Sequence, residues 1–273
     1  MTDLITNITT YTFLQNAILA AVLASIVCGI TGTFVVVKKI TFISGGIAHA
    51  VLGGVGIAFY LSMPPIIGAF IFAILAAVII GLVKLKADQH ENTVISALWA
   101  MGMAIGVIFM YLTPGYSADL LSYLFGNILM VSSVNLYILA GLNIFIILIV
   151  LIFYRQFVAI TYDEEQARLR GLPVNFLYIL LLCIIALTIV VLIQIVGIIL
   201  VIALLSLPAA IASLYTRTLH AMMFSAIGLG ILFTLGGIAI SFSANIPTGA
   251  TIIILCGVAY LLAINLTRFI HKK

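Results

Sequence analysis

Long apolar runs constrain this chain more than any other feature. They follow one another along nearly the whole sequence, and an α-helix needs about 20 mostly apolar residues to cross the hydrocarbon core of a bilayer. Only 7% of the residues are charged, whereas a soluble domain carries about 25%. A soluble core of this size would lack the polar surface to cover it. We therefore expect an all-α polytopic membrane protein, with spans near residues 12–37, 42–61, 65–83, 92–112, 134–153, 174–193, 195–215, 221–243 and 248–267.

Two segments leave the number of spans open. The run 174–215 is too long for a single span, and its polar interruption is Gln194, shortly before Gly197. Two full helices there make nine spans, and one re-entrant helix there makes eight. Between 112 and 134, the piece "ADLLSYLFGNILM" is too short to cross, so we expect a re-entrant segment or half-helix whose ends are covered by protein or water.

The positive charges predict the orientation of these spans. Short loops rich in lysine and arginine face the cytoplasm. When the connections are taken alternately, one side holds every basic side chain and the other side holds none. We therefore expect an external N-terminus and a cytoplasmic C-terminus. The eleven basic residues are Lys38, Lys39, Lys84, Lys86, Arg155, Arg168, Arg170, Arg217, Arg268, Lys272 and Lys273.

The longest cytoplasmic connection, 155–173, has the pattern of a short helix outside the membrane. Thr161 and Glu164 have the spacing of a capping box. Acidic residues crowd the first turn and arginines the last, as the helix dipole favours, and Gly171 and Pro173 then end the helix. This helix, near 161–171, is either a stable surface turn or a docking element for a soluble partner.

The ionisable residues within the apolar segments are His49 and Asp119, and at such positions they are candidates for function. His49 follows Lys39 by ten residues, which is about 15 Å along a helix and near the bilayer centre. Glycines surround it. Either His49 hydrogen-bonds a helix that packs closely on those glycines, or the glycines leave a cavity and His49 lines a pathway. A neutral imidazole is also a common ligand of transition metals.

Asp119 and Pro208 are the remaining polar or irregular positions of interest. Asp119 follows "PGYS" and is either a helix N-cap or the first anionic contact for an entering cation. Pro208 lies within a span and is expected to kink it. The chain has no P-loop, no hydrolase pattern and no signature of nucleic-acid binding, so we expect no enzyme and no nucleic-acid partner.

Five stretches, taken in order, resemble the membrane permeases of metal-ion ABC importers, the zinc/manganese/iron family. They are "SGGIAHAVLGGVG", "DLLSYLFGNIL", "YDEEQARLRGLPV", "VGIILVIALLSLPAAIA" and "IPTGATIIIL". The resemblance implies a single permease domain over 1–273 with a fold like that of the vitamin B12 and siderophore importers. It also implies a homodimer in a bacterial or archaeal inner membrane, two cytoplasmic ATPase subunits that bind ATP, and an extracytoplasmic metal-binding protein.

The resemblance also implies roles for individual residues. The coupling helix would meet the ATPase, and His49 would be the metal-pathway histidine, with Asp119 as a weaker candidate. Many members carry an aspartate where this chain has Gly45, and the loss of that oxygen ligand favours Zn²⁺ over Mn²⁺. The implied coupling residues are Tyr162, Asp163, Glu165, Ala167 and Gly171, and the implied pathway residues are Gly45, Gly46, Gly53, Gly54 and Pro208.

The expected function is ATP-driven import of a divalent metal by alternating access, with zinc favoured and manganese or iron as alternatives, and with no permanently bound cofactor. One alternative is a permease of the same architecture that carries a metal chelate such as a siderophore or cobalamin. A second alternative is a secondary transporter or channel driven by an ion gradient. A purely structural membrane protein is a third, but it leaves the histidine without a purpose.

Overall fold

The structure of the protein is a computed structural model that describes residues 11–86, 91–114, 126 and 128–270. In these residues it is helical throughout, with no strand. Nine of its helices are long and apolar enough to cross a membrane, which confirms the predicted polytopic α-helical fold. The helices are α1 Thr12–Val37, α2 Thr41–Tyr60, α3 Pro65–Lys86, α4 Glu91–Leu112, α5 Ser133–Ile152, α6 Tyr154–Tyr162, α7 Glu164–Leu169, α8 Val174–Val196, α9 Ile198–Tyr215, α10 Leu219–Ala244 and α11 Thr248–Ile270.

The long apolar run 174–215 divides into two helices at Gly197. The backbone of Gly197 has φ 80°, a conformation that glycine adopts without the steric penalty of a side chain. Helix α8 ends just before it, and α9 begins just after it. Both helices have the length of a span, so the described residues contain nine candidate spans, as predicted, rather than eight.

The described chain divides into two compact units that interleave along the sequence. The first unit contains the described residues of Met1–Val36, Leu121–Leu148 and Ile195–Lys273. The second unit contains Val37–Leu120 and Ile149–Gln194. No single cut in the sequence separates them. A single permease domain over 1–273 stays a prediction.

In the second unit, α2 packs against α3 and α4. Small residues allow the backbones to approach closely, as is typical of helices in a membrane, where burial of apolar surface does not drive helices together. A Cβ atom at Gly53 would lie 3.0 Å from the carbonyl oxygen of Gly102, and one at Gly106 would lie 2.6 Å from that of Leu52. Helix α2 is consequently the most buried of the candidate spans.

In the first unit, α9, α10 and α11 pack together. Glycines of α1 meet α9 at Leu205 and α10 at Ile227. The hydroxyl groups of Ser25 and Thr234 lie 3.3 Å apart and also donate to carbonyls one turn earlier in their own helices. Such bonds satisfy polar groups where no bulk water is available. Pro208 is buried in α9, and α9 continues on both sides of it.

The predicted half-helix between 112 and 134 lies largely outside the described residues. Of this segment the structure describes 113 and 114, Gly126, and the 128–132 stretch, which begins with a 3₁₀ turn at Ile128–Met130. Asp119 lies outside the described residues, so its role as N-cap or cation contact remains a prediction.

Candidate functional site

The segment between α5 and α8 forms two short helices. Asp163 is the residue between them, and its carboxylate accepts a hydrogen bond of 2.9 Å from the backbone N–H of Gln166. Asp163 is therefore the N-cap of α7. The predicted capping box that begins at Thr161 is wrong, because Thr161 belongs to the last turn of α6. The carboxylate of Asp163 accepts from the N–H of Gln166 instead.

Gly171 ends α7 in the way that the sequence predicts. Its φ is +77°, in the left-handed region that glycine adopts at low energy. Its N–H donates to the carbonyl of Arg168 at 3.0 Å, and the N–H of Leu172 donates to that of Ala167 at 3.2 Å. This pair of bonds is a Schellman motif, and Pro173 follows it. The short helix is thus closed at both ends by its own residues.

The two faces of this segment differ in exposure. Tyr162 is 63% exposed and Leu169 is 88% exposed, and the side chain of Glu165 is also exposed. Ala167 is buried at 2% exposure. Of the implied coupling residues, Ala167 therefore packs inside the second unit and cannot itself present a contact surface. Leu169 was not among the residues predicted from sequence, although an exposed apolar residue in the last turn of a charged surface helix is a signal for a contact surface.

Lys38 anchors α7 within the second unit. Its ammonium group forms an ion pair with Glu164 and donates to the carbonyl oxygen of Ile160 at 2.8 Å. It also lies 5.2 Å from the ring centroid of Tyr178, within the range of a cation–π interaction. The Lys38 side chain is only 8% exposed, so this lysine is held by partners rather than by water.

These residues border a cavity of about 310 Å³ at the end of the unit where α2 and α8 begin and α3 ends. Three lysines line it, Lys38, Lys39 and Lys84, together with Glu164 and Asn92. In α6, burial, with Tyr162 as a smaller contribution, raises the pKa of Tyr154. Glu164 of α7 thus lies beside three lysines at this end of the second unit.

His49 lies midway along α2 and is half-buried. Its ring stacks on that of Trp99 from α4, with the centroids 4.1 Å apart and the planes 9° from parallel. The Nδ1 atom is buried and has no hydrogen-bond partner in the described residues. Nδ1 therefore does not form the hydrogen bond to a neighbouring helix that a structural role of His49 would require.

Three of the four predicted pathway glycines serve close packing rather than open space. Cβ atoms at Gly46 and Gly54 would overlap Ile95 and the backbone of Gly68, and one at Gly53 would press on Phe72 and Gly102. The clearance expected from the sequence is therefore absent at these three positions. Gly45 differs, because a Cβ there would meet only Trp99, at 3.8 Å.

The described residues contain no group of three or more histidine, cysteine, aspartate or glutamate side chains that could hold a metal ion. The three cysteines are free, and Cys28 and Cys256 are buried among apolar side chains, as expected for core residues. His49 is thus the metal-ligand candidate that the described part of the chain places at mid-span.

The described residues combine nine apolar helices of spanning length, a histidine midway along one of them and a short capped helix between two others. This combination is expected of a multi-pass membrane transport permease. Residues 10–267 match the model of the ABC-3 transport family, and the chain belongs to that family.

Individual relatives agree over nearly the whole length. An uncharacterised membrane protein of Synechocystis is 46% identical over 258 residues, which are 94% of this chain and 92% of the relative. The manganese transport system membrane protein MntC of Halalkalibacterium halodurans is 34% identical over 253 residues, 93% of this chain and 87% of the relative. The solved structure of PsaBC from Streptococcus pneumoniae in complex with Fab matches with a TM-score of 0.86 and 34% identity, over 96% of this chain and 94% of that chain.

Proposed function

We propose that this chain is the permease subunit of an ATP-driven importer of a divalent transition metal. The single observation that carries the metal assignment is His49, which lies at the middle of a span and whose buried Nδ1 has no hydrogen-bond partner among the described residues. Ionisable groups at that depth mark substrate pathways in membrane proteins, and neutral imidazole binds divalent transition metals. The transport names of relatives such as MntC support the same class of substrate.

Manganese is the metal to test first. The missing side chain at Gly45 favours zinc on ligand chemistry alone, but MntC, 34% identical over 93% of this chain, is named for manganese transport. A permease that passes an ion on needs only brief contacts with it, so the metal preference of a single imidazole is small. Zinc and iron are the comparison metals in the same assay.

The remaining parts of the proposal follow from the short helix and the charges. The basic end of the second unit faces the cytoplasm, and α7 is the coupling helix that docks on an ATPase dimer. Glu165, Tyr162 and Leu169 are its exposed contacts, while Asp163 and Gly171 close its two ends. Two copies of the chain form the pathway in the inner membrane, and an extracytoplasmic binding protein delivers the ion to their outer face.

The test is uptake of radioactive Mn²⁺ into vesicles that contain the permease, its ATPase and its binding protein. His49→Ala is expected to lower ATP-dependent uptake at least about tenfold, because the pathway loses its imidazole. His220→Ala is the matched control, since His220 lies in the first turn of α10 rather than at mid-span, and its uptake is expected to match wild type. Wild-type uptake by His49→Ala at equal expression would overturn the pathway role.

The same vesicles separate the two alternative functions. Uptake that persists without ATP but stops when the ion gradient is collapsed would indicate a secondary transporter. Uptake of a siderophore or cobalamin complex, with no uptake of the free ion, would indicate a chelate permease. The proposed function requires the free ion, ATP and independence from the gradient.

A further inference from the structure

The surroundings of His49 hold its ring in one orientation. The Trp99 indole lies parallel to the imidazole at a centroid distance of 4.1 Å. Aromatic rings at this spacing are in full van der Waals contact, so the imidazole cannot turn about χ2 without losing the stack. The contact joins two elements, α2 and α4, and both belong to the second unit.

Trp99 is itself fixed from two sides. Its Nε1–H donates to Sδ of Met103 at 3.2 Å, one turn further along α4. Phe42 packs against the indole with a centroid distance of 6.2 Å and a tilt of 42°. A tryptophan held by a sulfur acceptor and by a second aromatic ring keeps its plane, and it passes that constraint on to the imidazole stacked upon it.

Gly45 provides the space for this arrangement. It precedes His49 by four residues and therefore lies on the same face of α2. A Cβ at Gly45 would be in ordinary contact with Cζ3 of Trp99, at 3.8 Å. A longer side chain there would extend from that Cβ into the region of the indole. Glycine at 45 and tryptophan at 99 are therefore complementary in volume.

We propose that Trp99 is the positioning residue of the metal-pathway histidine. Metal ions bind imidazole in the plane of the ring, at a nitrogen lone pair, whereas the indole covers one of its faces, so stacking and metal binding are compatible. The stack fixes the direction of the lone pair, and a transient site with few ligands depends on that direction. This inference rests on the proposed function, because it requires a metal ion to meet His49.

The chain offers a direct spectroscopic test, because Trp99 is its only tryptophan. The purified full chain in lipid vesicles would be titrated with Mn²⁺ alone and with Zn²⁺ alone while tryptophan fluorescence is recorded. We expect a saturable change in emission with each ion, and no change in His49→Ala. An unaltered wild-type emission under both titrations would overturn the proposal.

Uptake kinetics provide the second arm. Trp99→Leu keeps an apolar side chain but removes the planar surface, and it is expected to raise the KM for Mn²⁺ uptake about tenfold, the scale of a lost outer-shell contact. Trp99→Phe retains a ring and is expected to recover most of that loss. Equal KM values in Trp99→Leu and wild type, or equal losses in Trp99→Leu and Trp99→Phe, would overturn the positioning role.

A folding control and the pattern of uptake keep the outcomes distinct. Thermal unfolding of each variant shows whether it folds, and if Trp99→Leu does not fold, the fluorescence titration of the wild-type chain still decides. A failure of positioning appears as impaired uptake in His49→Ala with wild-type kinetics in Trp99→Leu. A failure of the proposed function appears as normal uptake in His49→Ala itself.

Discussion

At the scale of single residues, α2 requires glycine because neighbouring helices pack against it closely, and not because of the backbone conformation of α2 itself. Gly54 faces the backbone of Gly68 on α3, and a Cβ at Gly54 would also lie 2.9 Å from Cβ of Phe72. Backbone atoms cannot rotate away as the end of a side chain can. A methyl group at Gly54 therefore forces α2 and α3 apart.

We expect Gly54→Ala to lower the free energy of unfolding by about 1–3 kcal/mol, the usual effect of overpacking a filled interface. Thermal unfolding in detergent, followed by a thiol-reactive dye, would measure it as a lower midpoint. Gly141→Ala is the matched control, because among the described residues no other part of the structure beyond the local backbone lies within 4 Å of a Cβ there. Alanine also has the higher helix propensity, by up to about 1 kcal/mol. Equal losses in the two variants would contradict this account.

At the scale of elements, α7 is a helix whose ends are closed by its own residues and whose exposed side chains remain available. Its N-cap is Asp163 and its terminating glycine is Gly171. Lys38 holds its first residue, Glu164, against the second unit. A short helix anchored in this way can transmit a displacement of its exposed face to the start of α2, since Lys38 lies three residues before that helix begins.

Leu169→Ser is expected to weaken binding of the ATPase to the permease by about tenfold, because an exposed leucine in a docking cleft buries apolar surface worth about 1.5 kcal/mol or more. The measurement is co-purification or surface plasmon resonance of the two subunits. Tyr111→Ser, at an equally exposed position near the end of α4, is the control and should bind as wild type does. Undiminished binding by Leu169→Ser would exclude α7 as the docking element.

At the scale of the whole molecule, the orientation in the membrane remains a prediction. The basic residues predict that the connection between α2 and α3 faces outward and that α7 faces the cytoplasm. We expect Met63→Cys to react with a membrane-impermeant maleimide in sealed right-side-out vesicles. We expect Gln166→Cys to react only after the vesicles are opened. Both positions are exposed.

The labelling needs a background in which Cys28, Cys183 and Cys256 are replaced by alanine, which makes the introduced thiol the only one. The chain with all three cysteines replaced is the control, because it has no thiol to label. The reverse labelling pattern would place α7 outside the cell. A cytoplasmic ATPase could then not dock there, and the proposed coupling would fail with it.

Hydrophobic length, charge placement and end signals are local properties, and they were sufficient to predict nine spans and the short helix before α8. The division at Gly197 is a local effect too, since it rests on the φ of one glycine. Local spacing misplaced the cap of α7, because Thr161 and Asp163 both have side chains that cap helices. Only the path of the backbone decides which of them meets a free N–H group.

Local sequence patterns could not predict the surroundings of His49, because the residues around it come from segments that are distant in sequence. The depth of His49 in the membrane follows from its position along α2, but the indole stacked on it belongs to Trp99 of α4. Because α2 packs on α3 and α4, the glycines that were expected to leave open space are instead points of close contact between helices. The amino-acid order alone therefore established which segments cross the membrane and where the charges lie. The tertiary structure alone decided what those segments present to one another, because contact between helices depends on which faces meet.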